Sequence, residues 1–114
     1  MLAMKKLLFS FVGLMVASAV WAHPPKELKT SFDPMKRLLI ISVVHPVKDV
    51  AKHFVVSVEV KQEGEKLLAQ KYYSQYDNQT QYAYMISPDI KAGIKLEIEA
   101  RCNIIGSVKK SLTL

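Results

Sequence analysis

Few residues in this chain have side chains suited to chemistry: one cysteine, Cys102, and three histidines, His23, His45 and His53. A single thiol cannot close an intramolecular disulfide, so Cys102 serves packing, reactivity or metal binding. Neutral imidazoles with one thiolate make a soft-to-borderline donor set, suited to iron, copper or zinc rather than to calcium or magnesium. No two of these residues have the compact spacing of a metal box, so any site must be assembled by the fold. Each also has a plainer role open to it. Cys102 falls in phase with Ile98 and Ala100 and reads as a small core residue. His45 would bond a loop at a strand end, His53 would open a strand at the surface, and His23 would be a terminal residue.

The elements that must position these residues read as strands. Ile94 to Cys102 alternates cleanly, with Ile94, Leu96, Ile98, Ala100 and Cys102 on one face and charged residues on the other. A period of two marks a half-buried strand of an antiparallel sheet. Arg37 to His45 is more apolar and reads as a central strand, with Leu39, Ile41, Val43 and His45 sharing a face. His53 to Lys61 alternates with Phe54, Val56, Val58 and Val60 inward. Leu28–Phe32, Lys66–Ser74, Gln79–Ile86 and Val108–Leu114 complete the set, and no segment reads as a helix. Glu63-Gly64-Glu65 suits a tight hairpin, Asp77-Asn78 a turn, and Ser87-Pro88-Asp89 with Ala92-Gly93 bracket a longer connection. About seven short strands at this spacing predict an all-β, immunoglobulin-like β-sandwich. His45 ends one strand and His53 begins the next, so both lie at one end of it. The turn after Cys102 is placed to join them there.

The first 22 residues read as a leader, not as part of that sandwich. Lys5 and Lys6 precede an apolar run from Leu7 to Val20, and Val20-Trp21-Ala22 has the character of a signal-peptidase site. Cleavage after Ala22 would make His23 the first residue of a domain spanning 23–114. The run is short for a membrane span, so no stable membrane insertion is expected after cleavage. The product should be exported, to the periplasm. Without Lys5 and Lys6 the 16 basic residues become 14 against 10 acidic ones, a net charge of +4 instead of +6. The basic residues are dispersed and form no stripe with aromatics, which argues against nucleic acid. Lys48, in the loop between His45 and His53, is a solvated cation that would attract small anions. The five tyrosines read as half-buried strand formers rather than as a carbohydrate surface. No Ser-His-Asp set, paired carboxylates or phosphate loop can be read.

The runs His45-Pro46 to His53-Phe54-Val55 and Ala100-Arg101-Cys102-Asn103 to Gly106 resemble the iron-binding domain of the superoxide reductase family, which includes desulfoferrodoxin and neelaredoxin. That family has a His-Pro pair, a His-aromatic segment opening a strand, and a Cys-Asn-x-His-Gly turn near the C-terminus. The resemblance covers roughly residues 30 to 114. It implies an immunoglobulin-like fold and a mononuclear non-haem iron with four equatorial histidines and an axial thiolate. By position, His45 and His53 match two equatorial ligands and Cys102 the thiolate. Ile105 stands where the family has its last histidine, no histidine precedes His45 in the early strands, and the loop to His53 is about two residues longer. Three of the five ligand positions are filled.

The resemblance thus implies an exported, superoxide-reductase-like iron protein with an incomplete ligand set. It would reduce superoxide to hydrogen peroxide with an external electron donor. His23, as a mature N-terminus, would offer an imidazole and a free α-amine, a chelate that suits copper as well as iron. Pro24 removes the next N–H, so no deprotonated amide can extend that chelate. The alternative is a non-enzymatic periplasmic module that binds copper or a protein partner. Self-association into a homo-oligomer is open in either case.

Overall fold

The computed structural model describes residues 23–114, and the leader expected over 1–22 lies outside them. Seven strands follow one another: β1 (Glu27–Asp33), β2 (Leu38–Val44), β3 (Val55–Gln62), β4 (Glu65–Lys71), β5 (Gln79–Met85), β6 (Lys95–Cys102) and β7 (Ser107–Thr113). They form a three-stranded sheet in the order β1-β2-β5 and a four-stranded sheet in the order β4-β3-β6-β7. Every pairing is antiparallel. The expected all-β sandwich is the architecture found among the described residues.

The core follows from alternation. Leu39, Ile41 and Val43 of β2 face Val55, Val58 and Val60 of β3 and Leu96, Ile98 and Ala100 of β6, all essentially inaccessible. Leu28 and Tyr82 close the edges of the smaller sheet. Apolar side chains sealed between two sheets are the main stabilising term in a domain without disulfides. Glu63 and Gly64, both at positive φ (50° and 83°), make the two-residue hairpin between β3 and β4. Among the tyrosines, Tyr82 enters the core, Tyr72 and Tyr84 are partly buried with their hydroxyls 2.6 Å apart, and Tyr73 and Tyr76 are exposed.

One strand departs from the expected phase. Phe54 and Val56 do not share the inward face of Val58 and Val60, and Val55 is buried instead. The register against β6 slips between Val55, paired with Cys102, and Ser57, paired with Arg101. This bulge inserts Val56 and inverts parity at the start of β3. Residues 53 and 55 thereby take the inward phase that an unbroken strand would have denied them. The bulge lies at the end of the sandwich where the histidines gather.

Candidate metal centre

His45 continues the inward face of β2 one residue beyond the strand and is completely buried. Its main-chain N–H donates to the carbonyl of Asn78 (2.7 Å). Its ring is set by Gln75, itself buried. Gln75 Oε1 accepts the main-chain N–H of Val55 (3.1 Å), and Gln75 Nε2 donates to the carbonyls of His45 (2.7 Å) and Asp77 (2.8 Å). The amide end facing Val55 must therefore be its oxygen. His45 Nδ1, 2.9 Å from that oxygen, must be the donor. In the neutral ring this leaves a lone pair on Nε2, the tautomer that a metal requires. Nε2 faces the carbonyl oxygen of His23 at 3.4 Å, and two lone pairs facing each other favour a cation between them.

His53 is held from both sides. Asp49 starts a turn in which its carbonyl accepts the N–H of Lys52 (3.1 Å) and of His53 (2.9 Å). Asn103 clamps the other side: its Oδ1 accepts the N–H of Phe54 (2.9 Å), its Nδ2 donates to the carbonyl of Lys52 (3.0 Å), and its N–H donates to the carbonyl of Phe54 (3.0 Å). His53 Nε2 is buried with no hydrogen-bond partner among the described residues. Burial first, then the neighbouring His45 and His23 rings, hold the pKa of His53 below its ordinary value of 6.5, against an opposing main-chain contact from His23. An uncharged ring with an unspent nitrogen is poised for coordination.

His23 reaches the same place from the chain's start. Pro24 sits on Gly106, where an added Cβ would lie 2.6 Å from the proline Cβ, so only glycine permits this approach. The φ of +75° at Gly106 points the same way. Lys26 N–H then donates to the carbonyl of Val44 (2.7 Å), so the segment is pinned at both ends. Ligand atoms of His23, His45 and His53 all lie within 4.8 Å of one another. Ring centroids are 4.6 Å apart for His45 and His53, 4.9 Å for His23 and His53, and 5.2 Å for His23 and His45. An ion about 2.1 Å from each of three nitrogens would set them roughly 3.5 Å apart, so the trio closes on a metal when the pair separations shrink by up to about an ångström.

Cys102 is not one of this mutually close set. It is buried where β6 ends, facing the core like Ala100, with its N–H on the carbonyl of Gly106 (3.0 Å). Its Sγ accepts the N–H of Ile104 (3.4 Å). Cross-strand pairing with Val55 puts it two residues from His53 on the neighbouring strand. Ile105 is half exposed on the turn and belongs to no core contact. Outside the trio an open cleft of about 460 Å³ is lined by His23, His53, Pro46, Val47, Lys48, Asp49 and Asn78. Spacing alone did not single out Gln75, because nothing in its neighbourhood distinguishes it from any other loop glutamine.

The donor chemistry fits a mononuclear first-row ion: three imidazoles, one with its tautomer set and one with a buried nitrogen unspent. Among the described residues no helix is long and apolar enough to cross a membrane.

No protein-family model matches the chain, and neither does any curated protein. Among solved structures it is similar to a superoxide reductase (1Fe-SOR) from Giardia intestinalis, at 19% identity over 81% of this chain and 97% of that one, TM-score 0.55. It is also similar to a hypothetical protein from Pyrococcus horikoshii, at 14% identity over 82% and 90% of the two chains, TM-score 0.50. These likenesses establish the fold: the sandwich is superoxide-reductase-like, at low identity.

Proposed function

We propose that this domain binds one metal ion through His23, His45 and His53, and that it works as an exported, diverged superoxide-reductase-like iron protein. The observation that carries the reading is the convergence of three imidazoles at one end of a sandwich of that fold. Bound iron would supply a one-electron couple at an open position. With one electron from an external donor and two protons from solvent, superoxide becomes hydrogen peroxide. The chain's own residues have simpler tasks. Gln75 keeps the His45 lone pair directed at the ion, Asn103 and Asp49 hold His53, and the Pro24–Gly106 contact holds His23. Lys48 and Asp49 both line the cleft through which a small substrate would reach the ion. Cys102 is proposed as the thiolate donor, with the Ile104 N–H tempering its charge.

A second reading has one observation in its favour. The close set is all nitrogen, with Cys102 outside it, which suits copper held without redox turnover. The test is to load residues 23–114 with ferrous iron under anaerobic conditions, oxidise, and record the visible spectrum. The iron reading expects a thiolate-to-ferric charge-transfer band that disappears in Cys102→Ala. Absence of iron binding at micromolar concentrations, alongside tight copper binding, would replace it with the copper reading.

A further inference from the structure

Two independent features meet at one residue. The leader-like sequence ends at Ala22, with its small-residue cleavage pattern, and the next residue, His23, is a member of the histidine trio. The main chain of His23 is also at the site, since its carbonyl oxygen lies 3.4 Å from His45 Nε2. Its α-nitrogen, three bonds from that oxygen, is therefore close to the same space. In the precursor that nitrogen is an amide, whose lone pair is delocalised into the carbonyl and does not bind a metal while the N–H keeps its proton.

We infer that removal of the leader completes the metal site: cleavage between Ala22 and His23 frees an α-amine that joins the three imidazoles as a fourth nitrogen donor. The inference rests on the trio being a metal site, not on the ion being iron. Hydrolysis by a leader peptidase adds water across the Ala22–His23 bond, leaving a carboxylate on Ala22 and an ammonium on His23. The ammonium gives up a proton to solvent when its lone pair is used. Amine and Nδ1 of one histidine close a six-membered chelate ring, and four nitrogens favour copper(II) among the common divalent ions. His23 Nδ1 now lies 3.0 Å from the carbonyl of Pro24, so chelation requires the partly exposed ring to turn away from it. Pro24 has no N–H to deprotonate, which stops the chelate at these two atoms. Its seat on Gly106 holds them over His45 and His53. The precursor, with three imidazoles alone, would bind the ion more weakly and acquire full affinity only on export.

The test compares three forms of the folded domain: one beginning at His23, one carrying an N-acetylated Ala22 before it, and one beginning at an N-acetylated His23. All three keep every imidazole. Copper(II) titration with calorimetry and electron paramagnetic resonance should show the free-amine form binding about tenfold or more tighter than the others, as expected for a donor tethered at high effective concentration. It should also show an additional nitrogen in the hyperfine pattern. Equal affinities and identical spectra would overturn the chelate while leaving the three-histidine site standing. Absence of binding in all three forms, or binding that survives replacement of His45 and His53 together, would overturn both. N-terminal sequencing of the exported product of the full chain should begin at His23, and a different first residue would also refute the inference.

Discussion

The outer face of β3, β6 and β7 and the histidine end of the sandwich both concentrate polar side chains, and they use them in opposite ways. On the outer face Glu99 pairs with Arg101 (3.2 Å) and Lys109 (3.5 Å), and Lys66 pairs with Glu59 (3.3 Å). These groups reach solvent and one another, so each is satisfied and each contributes little to stability. At the histidine end the polar atoms are removed from water and left unspent: the lone pair of His45 Nε2 faces another oxygen, and His53 Nε2 has no partner. Leaving such atoms unpaired costs folding free energy. Arg37 Nε and Tyr82 Oη are also buried without a partner, but among the described residues His53 Nε2 alone of these lies in a group of three ligand side chains, which points to a ligand there.

His53→Ala should separate the two regions most sharply. Metal affinity should fall by more than the roughly 10–100-fold typical of losing a supporting partner. The melting temperature of the metal-free domain should stay level or rise, because an unsatisfied buried nitrogen is removed. Calorimetry of metal binding and thermal melts check the two halves, and a lower melting temperature would make His53 a structural residue. Gln75→Ala comes next. It frees the His45 ring and strands the Val55 N–H with two carbonyls, so affinity should drop about 10–100-fold and stability by about 1–3 kcal/mol. Gly106→Ala should act more gently, displacing Pro24 and with it His23. A loss of affinity larger than the loss of stability is expected, and the reverse would show that Gly106 serves only its turn.

Acidity distinguishes the regions by window. The folded-state pKa of His53 lies below 6.5, so the unfolded chain takes up its proton first. Its contribution to the stability of the metal-free protein is full above pH 6.5 and is lost as pH falls through 6.5 toward the lower folded value. Glu99 is different. Burial pushes its carboxyl up, but Arg101, Ser107 and Lys109 together outweigh this and hold it below 4.5. Its contribution is present above pH 4.5 and is lost only as pH falls further. Urea melts across pH should show an early loss that His53→Ala removes and a later, smaller one that Arg101→Ala reduces. Arg101→Ala should otherwise cost about 0–1 kcal/mol and leave metal affinity unchanged.

Much of the sandwich was legible because alternation is written directly in residue types. The inward faces of β2 and β6 run as expected, through to His45 and Cys102. The bulge at Val56 was not legible, since Phe54, Val56, Val58 and Val60 spell an unbroken strand and only pairing with β6 reveals the slip. That slip matters to the site, because it sets the phase of His53. Gln75 is a second gap: its role depends on the main-chain groups of His45 and Val55, 30 and 20 residues away. The placing of His23 depends on proline meeting glycine across 82 positions of chain, a contact without local signature.

The most direct measurement of the central claim is a titration of the 15N-labelled domain with zinc(II), a diamagnetic stand-in, observed at the histidine ring nitrogens. The account predicts saturation at one equivalent, with the ring nitrogens of His23, His45 and His53 shifting together and Nδ1 of His45 retaining its proton. Rings that stay unshifted at saturation, or binding that leaves His45 and His53 untouched, would contradict it.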